Sequence, residues 1–272
     1  LDFIIELDYP SYTGKTDESL KNAGDHIVPA GTKVSWSIFT KDTRELMFRL
    51  GEKQVLLKPD NNNVFKFSST FLNNNNYVIR TINEYMKSRD SLIYSINVIP
   101  DVYPDIKVEE FKDTILDNRR FFKGLIKDDY GFSKMNFNYS FINNDKKDKN
   151  IILPIQVNKN TNQQEFYYYF DMAEIKIEPG DEIEYFFEIW DNDGVNGSKS
   201  TRSQKMIFKA PTIKELEEKA ENANKQVKTD INQLLLDAKK MQQDIESFER
   251  KLVDKKQISW QEQQEMKSLI ES

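Results

Sequence analysis

Over its first two-thirds, the sequence alternates between apolar and polar residues, as half-buried β-strands do. The clearest case lies within 180–194, where Ile183, Tyr185 and Phe187 occupy one side of a period-two pattern and Glu184 the other. Asparagine, aspartate and glycine residues, which favour turns, follow this stretch. The pattern therefore predicts an antiparallel strand that leads into a hairpin.

Similar short runs fill the first hundred residues. They lie at 3–7, 34–38, 46–50, 55–57, 64–67, 77–80 and 92–98. Turn-forming residues separate them, among them Gly31, Gly51 and the asparagines of 73–76, which we interpret as loops. Many short strands at this spacing are typical of a sandwich of two sheets. We predict an immunoglobulin-like β-sandwich over residues 1–101.

The same pattern begins again after the proline-containing segment 100–104. Its apolar runs lie at 121–126, 135–141, 151–157, 166–170, 183–189 and 206–208. These runs predict a second immunoglobulin-like β-sandwich over residues 102–210, in tandem with the first. The fold class that we predict is therefore mainly β with α, because a helical region follows the two sandwiches.

One spacing in the second predicted sandwich is more specific. Asp181 precedes Tyr185 by four residues, at the start of the penultimate strand, which is the spacing of the tyrosine corner of immunoglobulin-like domains. Phe187 stands where antibody domains have a cysteine, so packing would replace the disulfide. The alternative interpretation is that Tyr185 is an ordinary buried tyrosine.

From Thr212 onward the apolar period changes to three or four residues, which predicts a helix. Thr212 and Glu215 fit a capping box. The apolar seam consists of Ile213, Leu216, Ala220, Ala223, Val227, Ile231, Leu234, Ala238, Met241, Ile245, Phe248 and Leu252. A helix of this length would extend about 60 Å. The step from Val227 to Ile231 adds a second consecutive interval of four, so the seam there departs from strict heptads.

The pattern pauses near 255–257, and a second capping box at 259–262 precedes Met266, Leu269 and Ile270. We therefore expect the region 211–272 to be a helical hairpin that begins a coiled coil, with a lone solvated helix as the alternative. The narrow seam suits a partner helix or a second copy of the chain. The predicted interaction residues are Leu216, Val227, Ile231, Leu234, Met241, Ile245 and Phe248.

Composition argues against several functional classes. The net charge of −6 argues against nucleic-acid binding, which needs a basic surface. The chain has no cysteine and a single histidine, His26, so thiolate and histidine metal sites and the usual nucleophilic triads lack their residues. We expect a protein that is not an enzyme. Because the sequence starts with Leu1 and has no apolar run of roughly 18–20 residues, we expect any membrane segment to lie outside it.

Two acidic loops are the strongest candidate for a bound ion. In an immunoglobulin-like sandwich the loops 127–131 and 190–197 would meet at one end. Oxygen ligands of this kind suit calcium, although the second loop departs from the EF-hand pattern. The predicted ligands are Asp128, Asp129, Asp191, Asp193 and Asn196.

A second interpretation assigns these side chains to turn formation, with Lys199 and Arg202 neutralising them. A further alternative is a glycan-binding module that uses exposed aromatic residues such as Tyr167, Tyr169 and Trp190.

Several segments resemble a family of large, uncharacterised envelope proteins of Gram-negative bacteria, and the resemblance covers most of the chain. The segments are 9–14, 28–32, 128–132, 190–200 and the long charged helix. The resemblance implies membrane helices before Leu1, tandem immunoglobulin-like domains in the periplasm and a coiled coil further along. It implies no activity and no catalytic residue. The expected function is that of a structural or interaction segment of a membrane-anchored envelope protein, with a calcium-dependent adhesion or glycan-binding module as the alternative.

Overall fold

The computed structural model describes residues 1–83, 90–113, 117–142 and 150–254, together with Trp260, Gln264 and Lys267. The protein is mainly β-structure with one long C-terminal helix. It divides into two compact units: residues 1–177 with 181–208, and residues 178–180 with 209–272. The first unit holds the strands described below as far as residue 208, and the second holds the helix.

Among the described residues, nine strands precede Pro100. They are β1 (Asp2–Asp8), β2 (Glu18–Lys21), β3 (His26–Pro29), β4 (Thr32–Phe39), β5 (Glu45–Leu50), β6 (Lys53–Leu57), β7 (Val64–Phe71), β8 (Asn75–Ile82) and β9 (Leu92–Ile99). Sheet A has the order β2-β1-β4-β7 and sheet B the order β3-β9-β8-β5-β6. The pairing of β3 with β9 is parallel, and the other pairings in these two sheets are antiparallel.

The core of the first sandwich lies between sheets A and B. Trp36 of β4 is almost fully buried. Its ring centroid lies 5.1 Å from that of Phe48 on β5 and 5.0 Å from that of Tyr77 on β8. The inward residues of both sheets are apolar at alternate positions, as the sequence pattern predicted. Each buried aromatic side chain contributes about 2–3 kcal/mol through removal of its surface from water.

In the described ranges after Pro104 there are eight further strands. They are β10 (Asp105–Lys112), β11 (Arg119–Lys127), β12 (Phe132–Phe141), β13 (Ile151–Ile155), β14 (Gln163–Asp171), β15 (Glu182–Asp191), β16 (Ser200–Arg202) and β17 (Met206–Lys209). Sheet C has the order β10-β11-β14, and sheet D has the order β13-β12-β15-β16, with β17 also paired to β15. Aromatic rings from both sheets meet between them: Phe122 lies 5.1 Å from Phe187, and Phe137 lies 4.7 Å from Phe170.

The tyrosine-corner prediction is wrong. Tyr185 is fully buried on β15, but its hydroxyl donates to Glu110 Oε1 at 2.5 Å and not to backbone upstream of it. A phenol has a single proton to donate, so this bond takes the place of the corner bond. Glu110 lies on β10 and is also 3.0 Å from Arg120 Nε. The alternative interpretation, a buried tyrosine, describes Tyr185 correctly.

The helix α1 runs from Ile213 to Asp254. The predicted capping box is present: the Thr212 backbone N–H donates to Glu215 Oε2 at 2.8 Å, and the Glu215 backbone N–H donates to Thr212 Oγ1 at 3.3 Å. The predicted second helix lies outside the described residues, apart from Trp260, Gln264 and Lys267, which are helical. None of the described helices combines the length and apolarity needed to cross a membrane.

Candidate functional site

The two acidic loops meet, as the sequence predicted. One lies between β11 and β12 and the other between β15 and β16. Asn192 Nδ2 donates to the carbonyl of Tyr130 at 2.9 Å, which joins the two loops. The same amide nitrogen donates to the carbonyl of Tyr12 at 3.0 Å. Since Tyr12 belongs to the first sandwich, Asn192 also connects the second sandwich to the first.

Carboxylates converge on Lys199 in this region. Lys199 Nζ lies 3.0 Å from Asp191 Oδ2 and 3.2 Å from Asp193 Oδ2, and it also contacts Asp101 Oδ2. The side chains of Asp191 and Asp193 are fully buried, and that of Asp101 is nearly so. Asp101 lies in the segment between the sandwiches and was not among the predicted residues. Lys199 therefore ties that segment to the second sandwich.

The remaining carboxylate oxygens mainly build turns. Asp193 Oδ1 accepts the backbone N–H groups of Val195 and Asn196 at 2.7 and 3.2 Å. Asp128 Oδ2 accepts those of Tyr130 and Gly131 at 3.0 and 2.8 Å. This geometry is that of side-chain to backbone turns and agrees with the second interpretation of the acidic loops.

The five predicted calcium ligands do not surround one point. Asp191 and Asp193 face the ammonium group of Lys199, whereas Asp128 holds its own turn. Asn196 Nδ2 lies 3.4 Å from Asp193 Oδ2 and acts as a donor there, and Asp129 is exposed. In the part of the chain that the structure describes, no group of three or more His, Asp or Glu side chains is arranged to hold a metal ion.

The role expected of Arg202 is wrong. Its Nε donates to Glu188 Oε1 at 3.0 Å, on the neighbouring strand β15, so it does not neutralise the loop aspartates. The register explains this difference, because Arg202 is paired with Glu188 across β15 and β16. Lys199 alone of the two predicted cations contacts Asp191 and Asp193.

Burial sets the protonation of this cluster. Desolvation raises the pKa of Asp101 to about 7, opposed by Lys199 and reinforced by the negative charges of Asp129 and Asp191. Burial also raises the pKa of Asp128. Asp193 behaves differently: although desolvation acts against it, the backbone N–H groups of Val195 and Asn196 lower its pKa. At neutral pH Asp193 is thus charged while Asp101 is close to its midpoint.

Apolar contacts complete the connection between the sandwiches. The rings of Tyr12 and Tyr130 meet edge to face with their centroids 5.2 Å apart. Gly31 has a φ of +90°, and a Cβ atom there would lie 2.7 Å from a methyl group of Val195. A larger residue would therefore be strained and would collide with the loop. We give the name junction to the residues that make these contacts: Tyr12, Gly31, Asp101, Tyr130, Asp191, Asn192, Asp193, Val195 and Lys199.

The helix α1 presents its predicted seam to solvent. Leu216, Val227, Ile231, Leu234, Met241 and Ile245 are all exposed, with between 40% and 68% of each residue accessible. The side chain of Phe248 lies outside the described part of the structure. The seam residues share one face of a continuous helix, as the interval of three or four residues predicted.

The three aromatic residues considered for glycan binding lie on two different sheets. Trp190 is on β15 in sheet D, where the Lys134 ammonium lies 4.3 Å from the centre of its ring. Tyr167 and Tyr169 are on β14 in sheet C, and they are 69% and 46% exposed. Phe111 and Phe121, which are 51% and 45% exposed, share their sheet. We call Phe111, Phe121, Tyr167 and Tyr169 the aromatic face.

The single histidine has a structural partner. His26 is the first residue of β3 and is largely buried, and its Nε2 lies 2.9 Å from the carbonyl oxygen of Ala23.

Comparisons with known proteins leave the family open. No family model matches the sequence, and no curated protein matches it. A putative carbohydrate binding protein from Bacteroides uniformis is 12% identical, with 64% of this chain and 90% of that chain covered and a TM-score of 0.27. Fibronectin(III)-like modules of Clostridium thermocellum CbhA are 15% identical, with coverages of 71% and 93% and a TM-score of 0.26.

Proposed function

We propose that this chain is a non-enzymatic structural and interaction segment of a cell-envelope protein. In this proposal the two joined sandwiches act as a spacer, and α1 associates with another helix, either that of a partner or that of a second copy. The observation that carries the proposal is the exposed apolar seam of α1.

The energetics of the seam favour association. Exposed side chains such as Leu216, Ile231 and Leu234 keep apolar surface in water. Burying them against a second seam would contribute about 25 cal/mol per Å² of apolar surface. A helix of 42 residues is long enough for several turns of coiled-coil packing. The irregular interval between Val227 and Ile231 would locally change the winding of such a pair.

The spacer role is supported by the junction. A polar side chain, Asn192, donates to carbonyls in both sandwiches, and Lys199 connects Asp101 with the loop that follows β15. Several independent contacts across one boundary resist bending there better than a flexible linker would. A fixed spacer suits a protein that presents a helix at a distance from its anchor.

The location is part of the proposal. The resemblance to envelope proteins motivates an extracytoplasmic position with anchoring through segments outside residues 1–272. A reporter that is active only outside the cytoplasm, fused after residue 272 of the protein as its native gene encodes it, would test it. A reporter fusion that is made at full length but remains inactive would contradict this location.

The association is tested by light scattering coupled to size-exclusion chromatography. We expect residues 1–272 to form a dimer or larger species at micromolar concentration and Leu234→Glu to shift it toward monomer. Leu236→Glu is the matched control, because Leu236 is equally exposed but lies about 200° around the helix from Leu234. If the unaltered chain is monomeric and retains no partner helix, or if both variants behave alike, the seam is not an association site.

A further inference from the structure

The aromatic face is organised by strand register. On the outer side of sheet C, Phe111 of β10 is paired with Phe121 of β11, and Phe121 is paired with Tyr169 of β14. The three rings therefore form one row across the whole sheet. The centroids of Phe121 and Tyr169 are 5.0 Å apart, with their planes tilted by 34°. Tyr167 lies two residues before Tyr169 on the same side of β14.

Charged side chains frame this row on both sides. Arg119 Nε is 3.2 Å from Asp171 Oδ2 on one side, and Lys123 Nζ is 3.7 Å from Glu165 Oε1 on the other. The same carboxylates hold the tyrosines in place: the Tyr169 hydroxyl donates to Asp171 at 2.8 Å, and the Tyr167 hydroxyl donates to Glu165 at 3.2 Å. The rings are thus oriented before any ligand arrives.

Packing within the protein does not account for this surface. The inward residues of the same strands, such as Phe122, Phe166 and Phe170, fill the core of the second sandwich. The outward aromatics are 45–69% exposed, and Tyr167 has the greatest exposure of the four. Cross-strand contact explains why Phe121 lies against Tyr169 but not why four aromatic residues cover a solvated side of three strands.

We propose that the aromatic face binds a β-linked, extended oligosaccharide. The faces of sugar rings carry C–H groups that pack on aromatic rings, and their hydroxyls exchange hydrogen bonds with carboxylates, guanidinium and ammonium groups at the rim. A flat, extended chain can lie across the row of three rings. A helically coiled glycan would contact fewer of them.

The frame of charges favours a glycan over a protein as the occupant. A protein surface that covered the row would remove Arg119, Asp171, Lys123 and Glu165 from water, and this desolvation would oppose binding. Sugar hydroxyls can replace the lost water as both donors and acceptors. The aromatic face includes no residue of α1, so this proposal can be tested independently of the proposal about the seam.

The test is isothermal titration calorimetry of residues 1–272 with cellohexaose, chitohexaose and maltohexaose. We expect at least one of the two β-linked hexamers to bind with a Kd of about 10 µM to 1 mM, and maltohexaose to bind about tenfold more weakly. Phe121→Ala and Tyr169→Ala should each weaken binding about tenfold through loss of one stacking ring. Tyr169→Phe keeps the ring and should stay within about twofold. Tyr103→Ala, at an exposed tyrosine outside sheet C, is the matched control.

Thermal melts of every variant show whether it is folded. If Phe121→Ala does not fold, Tyr167→Ala replaces it as the test of sugar binding. Tyr167 is the most exposed of the four residues, so its substitution should affect folding least. The proposal is overturned if none of the hexamers binds when it is present at about 5 mM. It is overturned equally if the alanine variants bind sugar as tightly as Tyr103→Ala does. It is also overturned if these variants change the oligomeric state instead of sugar binding. Leu234→Glu should leave sugar binding unchanged, which separates this result from that of the seam.

Discussion

Arg120, Glu110 and Tyr185 form a buried polar network between the sheets of the second sandwich. Arg120 Nε lies 3.0 Å from Glu110 Oε1, and the Tyr185 hydroxyl donates to the same oxygen at 2.5 Å. Burial is the main factor that raises the pKa of Tyr185, and the neighbouring Glu110 raises it further. The phenol therefore stays protonated and remains a hydrogen-bond donor. The guanidinium of Arg120 also lies 5.2 Å from the ring centre of Phe208. Glu110 Oε1 therefore has two partners in this network, the Arg120 guanidinium and the Tyr185 hydroxyl.

We predict that Arg120→Ala lowers the free energy of unfolding by about 3 kcal/mol, because it leaves Glu110, whose side chain is only 21% exposed, without its counter-charge. Urea denaturation followed by tryptophan fluorescence measures this effect. The adjacent Arg119→Ala is the matched control: Arg119 is 39% exposed and pairs with Asp171, so its loss should amount to about 1 kcal/mol or less. Equal effects of the two substitutions would show that the buried network is not stabilising.

A second prediction concerns Lys199 and the binding of calcium to the acidic loops. Because its ammonium group already occupies the point between Asp191 and Asp193, we predict that calcium leaves the melting temperature of the unaltered chain unchanged. Lys199→Ala should lower the melting temperature. Calcium should then reverse part of this decrease, because it replaces the lost positive charge. Lys205→Ala, which removes an exposed pair with Glu184, should do neither. A calcium-dependent shift in the unaltered chain that Asp193→Asn abolishes would instead support the predicted ion site.

Among the elements, α1 begins where the sequence placed it because the capping signal is local. Thr212 and Glu215 are three residues apart, and each satisfies a backbone N–H of the other. Strand β10 shows the opposite case. It was not predicted, because Glu110 takes an inward position and interrupts the alternation of Ile106 and Val108. Arg120, which compensates the charge of Glu110 at this inward position, lies on the next strand. The sequence of β10 alone therefore does not show that Glu110 can face inward.

We predict that Thr212→Ala reduces the helical signal in circular dichroism at 222 nm, with an effect on helix stability of about 1 kcal/mol. Thr212→Ser should preserve the signal, since serine offers the same acceptor. Thr229→Ala is the matched control within α1: its hydroxyl donates to the Lys225 carbonyl, and alanine is the better helix former there. The cap is unimportant if Thr212→Ala and Thr229→Ala change the signal in the same direction.

At the scale of the molecule, alternation along the chain was enough to predict most strands of both sandwiches, because each strand has one buried side. The junction could not be predicted in full. Asp101 appeared only as part of a short segment between prolines, and its contact with Lys199 spans 98 positions along the chain. Two adjacent phenylalanines, Phe121 and Phe122, did carry a signal for the aromatic face, because neighbouring strand residues point to opposite sides and one of them had to be exposed.

The junction should make the stability of the sandwiches depend on pH. The folded chain holds a proton on Asp101 up to about pH 7, whereas an unfolded aspartate loses it near its ordinary value. This contribution is therefore complete at low pH and is lost as the pH rises through about 7. Other carboxylates titrate as well, so the informative quantity is the difference between the unaltered chain and Asp101→Asn.

Between pH 5 and pH 8 we predict that the free energy of unfolding of the unaltered chain falls by about 2–3 kcal/mol more than that of Asp101→Asn. The raised pKa has its origin in burial and in the charges of Asp129 and Asp191, and the asparagine cannot lose a proton in this range. Urea denaturation at four pH values measures both curves. Asp105→Asn, at an exposed position four residues away, should follow the unaltered chain. Parallel curves for the unaltered chain and Asp101→Asn would mean that Lys199 keeps Asp101 ionised throughout, and that the junction is held by a permanent ion pair.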